Sequence, residues 1–374
     1  MPRALPVLYN YTMSDQADAP GELASPSPDP SGENGFLRAA AGAIAVVAIF
    51  TAIYWASTVL APIACALFII AIVWPLQKWL QARLPKLIAL AVVVAIIAAA
   101  FVVFGSLASW GLGRIARWLA TDAARFQLLY TQIATWLEQH GITVAGLWAE
   151  HFNMRWLVLT AQEIAGRLNT TIGFWLVVIV YVILGLLEVD GTERKLRAMP
   201  NQSAALVLLN GAARTAEKLR RYVIIRTLMS AATGALVWAI VSLAGLPLAT
   251  EWGVIAFVLN YIPFIGPFIA TVFPTLFALA QFGSWQEALI VFICLNIAQF
   301  VIGSYIEPHV AGSALAISPF LVLFSVFLWT FLWGVFGAFI GVPITIALLT
   351  FCAQHPSSRW LADLLAAPDS ASEA

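Results

Sequence analysis

The sequence predicts an all-α polytopic membrane protein with about seven to eight transmembrane helices. Its 374 residues are 61% hydrophobic and only 10% charged, whereas a soluble domain carries about 25% charged residues. Uncharged runs long enough for a membrane-spanning helix, which needs about 20 apolar residues, recur along the chain, as in residues 39–77, 87–113 and 227–250. A further apolar run, residues 251–283, is interrupted midway by prolines and a glycine and predicts a broken helical hairpin.

The first part of the chain predicts a tail followed by three spans. Residues 1–35 are rich in Pro, Ser, Gly, Asp and Glu and are too polar to form a core, so they predict a disordered N-terminal tail. Residues 36–113 predict transmembrane spans 1–3. The run 39–77 would be about 58 Å long as one helix, about twice the hydrocarbon core, and therefore predicts two spans that turn near Thr58–Pro62.

Residues 114–167 differ from their surroundings because charges of both signs alternate with apolar residues at helical spacing. This pattern predicts an amphipathic helical segment. In its last part the apolar positions step by three and four along a narrow apolar stripe: Met154, Leu157, Ala161, Ile164 and Leu168. The apolar stripe predicts a contact between subunits of a homo-oligomer; the alternative is a helix lying on the membrane surface.

The distribution of basic residues predicts the topology. Residues 168–188 form span 4, and residues 190–226 carry eight basic against three acidic side chains. Lys and Arg accumulate on the cytoplasmic side, so the basic segment 189–222, interpreted as a loop, and the connection 78–86 are predicted inside. Counting spans then places both termini in the cytoplasm and residues 246–250 outside. Arg226, at the start of an uncharged run, is predicted to extend to the inner interface.

The C-terminal transmembrane region, residues 223–355, contains the broken hairpin 251–283, and residues 356–374 form a tail. Pro263, Gly266 and Pro267 interrupt the hairpin midway, and proline cannot continue a helix undisturbed. The stretch is either a re-entrant hairpin that lines a wet cavity, as broken helices of transporters do, or an ordinary turn or kink. We expect Gly266 to allow a close backbone approach and a positive φ. Residues 308–358 predict a further pair of helices that turn near Phe331–Gly334.

Polar side chains inside apolar stretches are the candidates for a transport path. Asn260, Asn296 and Gln299 either line such a path or form interhelical hydrogen bonds. Glu307 and His309 lie at the end of an apolar run, where a carboxylate is costly unless it has a partner or a function. They either relay protons or belong to a connection in which Glu307 caps the next helix.

Several classes of function find no support in the sequence. A net charge of zero gives no reason to expect nucleic acid as a partner. The four histidines are scattered, and the sequence contains neither an HExxH zinc motif nor a GxxxxGK[ST] phosphate-binding loop. The three cysteines have no metal-binding spacing. We therefore predict no catalytic, cofactor or metal site, and no enzyme.

Three motifs in the second half resemble the AI-2E family of bacterial membrane proteins. They are IPFIGPFIATVFP at 262–274, IEPHVAGSALAISP at 306–319 and WGVFGAFIGVPITIAL at 333–348. The second departs from the family pattern, which has a basic residue after its proline where this chain has His309. The resemblance implies a transporter that forms a ring-like assembly. Family members are assigned export of autoinducer-2 or, in other cases, sodium/proton antiport.

Together these observations predict a multi-pass protein of the bacterial inner membrane that exports a small polar solute resembling autoinducer-2. Its partners would be the lipid bilayer, the solute or a cation, and further copies of itself. A cation/proton antiporter that uses Glu307 is the alternative within transport. A scaffold that transports nothing and assembles through residues 114–167 is the alternative outside it.

Overall fold

A computed structural model of the chain describes residues 30–121, 154–311, 317–354 and 356–365, together with Thr131, Thr135, Glu138 and Gln139. These residues form helices joined by short turns. Seven of the described helices are long and apolar enough to cross a bilayer, and the shorter stretch Ala40–Trp55 is also apolar. The predicted all-α, multi-pass architecture is therefore confirmed.

The chain divides into two compact units, of which the first ends at Ala52 and the second begins at Ile53. In the first unit the structure describes a helix from residue 30 onward, with exposed apolar side chains such as Val47. The helices of the whole chain are α1 (Pro30–Trp55), α2 (Ser57–Gln81), α3 (Lys86–Thr121), α4 (Met154–Arg197), α5 (Gln202–Leu243), α6 (Ala249–Leu259), α7 (Ile265–Phe282), α8 (Trp285–Phe300), a π-helical turn (Val301–Ile306), α9 (Glu307–Ala311), α10 (Pro319–Cys352) and α11 (Pro356–Leu365). Helices α2 to α11 all belong to the second unit.

Helices α2, α3 and α4 pack around one apolar core. Val93, Val178 and Leu186 are among its fully buried members. At one end of this group Lys86 donates to the Leu187 carbonyl at 3.3 Å and lies 3.8 Å from Asp190. The break between α1 and α2 is at Ala56, slightly before the predicted turn at Thr58–Pro62. Pro62 lies within α2. The proline removes one backbone hydrogen bond there, and the helix continues past it.

The basic segment predicted as a loop is helical instead. Helix α4 continues to Arg197, and α5 begins at Gln202, where the Asn201 side chain accepts the Ala204 amide at 3.1 Å. Charge alone did not reveal this, because basic residues at helical spacing leave one face free to pack. With 42 residues, α5 is about 63 Å long, about twice the hydrocarbon core.

The stretch 251–283 folds as a first hairpin, formed by α6, a turn at residues 260–264, and α7. Its base is held by the Trp252 and Phe277 rings, whose centroids lie 5.6 Å apart. An ion pair of 2.8 Å between the buried Glu251 and Arg114 fixes the same end to α3. The hairpin lies along α5 with the backbones in contact, since a Cβ at Gly234 would lie 2.8 Å from the Gly253 carbonyl oxygen.

Helix α10 is a second hairpin, because it reverses direction at Gly334 (φ 65°, ψ −145°). The Thr345 hydroxyl on one arm donates to the Ser325 hydroxyl on the other at 2.8 Å. A Cβ at Gly337 would collide with the Trp329 carbonyl, so the arms touch through their backbones near the tip. This confirms the turn predicted near Phe331–Gly334.

The two hairpins lie along α5 from opposite ends. In the second hairpin, Phe351 at the base contacts Gly211, near the start of α5. In the first hairpin, Asn260 at the tip bonds to Ser230, further along α5. Ile262 at the first tip packs in one cluster with residues of both arms of the second hairpin. The tip of the first hairpin therefore packs against the arms of the second beside the middle of α5.

Candidate functional site

The buried face of α5 carries a row of polar side chains, which we call the polar seam: Thr215, Tyr222, Arg226, Ser230 and Thr233. Their spacing of seven, four, four and three residues places them on one side of the helix. All except Tyr222 are buried as whole residues, and the hydroxyl of Tyr222 is buried. The polar seam extends for about 27 Å along the helix axis.

Most members of the polar seam have a buried atom without a hydrogen-bond partner among the described residues. These atoms are Thr215 Oγ1, Tyr222 OH, Arg226 Nε and Thr233 Oγ1. A buried polar group without a partner costs about 1–3 kcal/mol, and in lipid no bulk water is available to satisfy it. Four unpartnered polar atoms therefore follow one another along this buried face of α5.

An ion pair crosses the polar seam at Arg226. Arg226 Nη1 donates to Glu307 Oε1 at 2.8 Å, and the two side chains are 7% and 32% exposed. Glu307 follows the π-helical turn Val301–Ile306 directly. Pro308 explains the turn, because it cannot donate to the preceding turn and its ring would collide with the Ser304 carbonyl of a regular helix.

The prediction that Arg226 extends to the interface is wrong. The side chain is buried because Glu307 compensates its charge, and a paired charge is tolerated where a lone one is not. The sequence does not single out this pair: Arg226 and Glu307 border the uncharged runs 227–250 and 288–306, but Glu251 and Glu287 border the same runs at their other ends.

The tip of the first hairpin bonds to α5 next to the ion pair. Asn260 Nδ2 donates to Ser230 Oγ at 3.3 Å, and the Tyr261 hydroxyl donates to Thr227 Oγ1 at 2.9 Å. Asn260 therefore forms an interhelical hydrogen bond, one of its two predicted roles. The bond also brings the tip to the polar seam.

The turn itself depends on two residues. The Ile265 amide donates to the Pro263 carbonyl at 2.7 Å and closes a γ-turn in which Phe264 has φ 63° and ψ −49°. The positive φ expected at Gly266 thus occurs at Phe264 instead. The close approach at Gly266 is present, because a Cβ there would collide with the Leu259 carbonyl and lie 2.9 Å from the Asn260 Cα.

The remaining candidate residues lie apart from the ion pair or bond within their own helices. Pro267 is half-buried in the first turn of α7. Asn296 is exposed and donates to the Phe292 carbonyl of its own helix at 2.8 Å. Gln299 has a buried Nε2 without a described partner. His309 Nδ1 lies 3.1 Å from the Tyr305 carbonyl, away from Glu307, because residues two apart on a helix face different sides.

Arg220 is a further residue that sequence reasoning missed. Pro75 has no amide hydrogen to donate to the Ala71 carbonyl in α2. Arg220 Nη1 from α5 donates to that carbonyl instead, at 3.0 Å. A side chain of the basic segment thus donates a hydrogen bond to the backbone of α2.

A cleft of about 630 Å³ lies at the tip of the second hairpin. Aromatic side chains dominate its wall, among them Trp55, Phe174, Trp333 and Phe336. The Phe174 and Phe336 rings stack with centroids 3.9 Å apart. The cleft lies beside Gly334, where the second hairpin turns.

The motifs and this architecture agree with a comparison to known families. The family model described as "AI-2E family transporter" matches residues 44–356. The chain belongs to the AI-2E transporter family. The predicted family resemblance is confirmed, and the AI-2E chain is a multi-pass transport protein.

Curated relatives of this AI-2E chain carry transport names. The AI-2 transport protein TqsA of Escherichia coli (strain K12) is 26% identical over 326 residues, which cover 86% of this chain and 93% of TqsA. The putative transport protein YhhT of the same organism is 27% identical over 335 residues, covering 86% and 91%. A putative transport protein of Borreliella burgdorferi is 34% identical over 182 residues, about half of each chain. These names agree with the family match, which places the chain among transport proteins.

Proposed function

We propose that the protein exports a small polar solute of the autoinducer-2 type across the bacterial inner membrane. The similarity to TqsA, which is named for AI-2 transport, supports the choice of solute. The observation that carries the proposal is the polar seam, in which four unpartnered polar atoms follow one buried face of α5. A solute with hydroxyl and carbonyl groups would satisfy these atoms as it passes.

The path that we propose runs along the polar seam, past the tip of the first hairpin and the arms of the second. Pro263, Gly266 and Pro267 shape the first tip, and Asn260 holds it against α5. Glu307 borders the path through its pair with Arg226. The aromatic cleft beside Gly334 forms the end of the path at the second tip. Both termini are assigned to the cytoplasm by the charge distribution, and the working unit is a homo-oligomer.

The test is flux into proteoliposomes that contain the purified protein, measured separately for labelled autoinducer-2 and for sodium under an imposed pH gradient. Thr233→Val removes an unpartnered hydroxyl from the polar seam without changing side-chain volume. We expect autoinducer-2 flux per assembled particle to fall while thermal stability is kept. Thr350→Val is the matched control, because that buried hydroxyl bonds to the Ile346 carbonyl of its own helix.

The alternatives give different results in the same assay. Glu307, a carboxylate beside the polar seam, is the observation that keeps the antiporter as a second candidate. Sodium movement driven by the pH gradient, without autoinducer-2 flux, would favour it. Flux of neither solute by a fully assembled protein would favour the scaffold, and unchanged flux in Thr233→Val would remove the polar seam from the path.

A further inference from the structure

The Arg226–Glu307 pair restricts the net charge of a solute that can bind beside it. Glu307 Oε1 already accepts a hydrogen bond from Arg226 Nη1 at 2.8 Å, so its charge is compensated. A cation at this point would have to compete with the guanidinium for the same carboxylate. An anion would leave a surplus negative charge in a medium of low dielectric constant, which is costly. The pair therefore favours a solute without net charge.

The same place offers two free donors. Arg226 Nε and the Tyr222 hydroxyl are buried, and neither has a partner among the described residues. They lie one helical turn apart on the same face of α5. An arginine N–H can only donate, whereas a tyrosine hydroxyl both donates and accepts. A ligand at this point must therefore present an acceptor oxygen to Arg226.

We propose that Arg226 determines the selectivity of the path: together with Tyr222 it binds a neutral solute through hydroxyl or carbonyl oxygens, and by holding Glu307 it excludes cations. This inference rests on the proposed transport function and specifies its substrate class. In this proposal the ion pair selects the solute, and transport does not require proton exchange at Glu307.

The decisive variant is Arg226→Gln, which leaves Glu307 without its cation beside the path. In proteoliposomes we expect autoinducer-2 flux to fall and sodium flux to rise by about tenfold or more. Sodium flux should rise because an uncompensated carboxylate in a membrane is stabilised by a bound cation. Combining Arg226→Gln with Glu307→Gln removes both charges and should return sodium flux to the wild-type level. Arg221→Gln is the matched control, because it removes the same charge from an exposed position of α5.

A second variant keeps the test independent of the folding of Arg226→Gln. Tyr222→Phe removes only the hydroxyl, so the protein should assemble normally. We expect the KM for autoinducer-2 to rise about fivefold, as the loss of one neutral hydrogen bond gives, with sodium flux unchanged. An unaltered KM, or an assembled Arg226→Gln protein with unaltered sodium flux, overturns the inference. Absence of autoinducer-2 flux in the wild-type protein instead overturns the proposed function itself.

Discussion

Pro75 interrupts the hydrogen bonding of α2, and a side chain from another helix repairs the defect. A carbonyl that loses its helical donor to a proline needs another donor when it is packed inside the bundle. Arg220 supplies it to the Ala71 carbonyl. The same logic applies to Arg226 and Glu307, each of which is tolerated because the other is present. Arg220, Arg226 and Glu307 thus each occur where a partner for the side chain is present.

We predict that Arg220→Met lowers the free energy of unfolding by about 1–3 kcal/mol, the cost of a buried acceptor left without a partner. Methionine keeps the length of the apolar stem, so packing changes little. Thermal unfolding in detergent measures the effect. Arg221→Met, at the neighbouring exposed position, should change stability by less than about 0.5 kcal/mol. Equal shifts in both variants would mean that the bond to Ala71 contributes nothing.

Both hairpins turn at proline or glycine residues, which can be recognised in the sequence. Proline and glycine cannot continue a helix without cost, so both the break around Pro263 and the reversal at Gly334 could be predicted. The packing of the hairpins on α5 could not. In a membrane protein most faces of a helix are apolar, and close contacts depend on scattered small residues such as Gly234 and Gly253. The sequence also does not show which polar atoms of the polar seam lack a partner, because that depends on how the helices pack.

For the first hairpin we predict that Gly266→Val abolishes transport per assembled particle while the protein still inserts and assembles. The added Cβ forces the tip away from the Leu259 carbonyl and weakens the bond between Asn260 and Ser230. The base stays in place through Glu251 and Arg114. Flux normalised to particles isolated by gel filtration is the measurement. Phe264→Leu, which keeps the backbone geometry, should be mild, and normal flux per particle in Gly266→Val would exclude the tip from the path.

For the second hairpin we predict that Gly337→Ala destabilises the protein by at least about 2 kcal/mol, because its Cβ would meet the Trp329 carbonyl of the opposite arm. The readout is the midpoint of thermal unfolding. Gly303→Ala is the control, since a Cβ at Gly303 has no neighbour within 4 Å. A midpoint equal to that of the control would contradict the tight contact between the arms.

The orientation of the whole chain in the bilayer remains a prediction from charge. We expect residues 78–86 and 190–221 in the cytoplasm and residues 246–250 outside. Ser203, which is exposed at the start of α5, provides the test. A cysteine placed there after the native cysteines are replaced should react with an impermeant reagent only when the inner face is accessible. Labelling from outside in intact cells would reverse the assignment.

Oligomerisation is the second prediction for the molecule as a whole. The apolar stripe from Met154 to Leu168 lies on α4, but its side chains fall outside the described residues. We expect a homo-oligomer in mild detergent that dissociates when Leu157→Glu and Ile164→Glu are combined. Native mass spectrometry gives the subunit number directly. A wild-type protein that is entirely monomeric would assign the apolar stripe to the membrane surface.

Because both hairpins contact α5, the spacing between the tip of the first and the base of the second is set by the number of residues between their contacts on that helix. Ser230, which holds the first tip, follows Gly211, which contacts the base of the second hairpin, by 19 residues, or about 28 Å. One residue inserted between these anchors would rotate one hairpin about 100° relative to the other. Seven inserted residues would restore the facing but move the hairpins about 10 Å apart. The length of α5 between Gly211 and Ser230 is therefore intolerant of insertions and deletions.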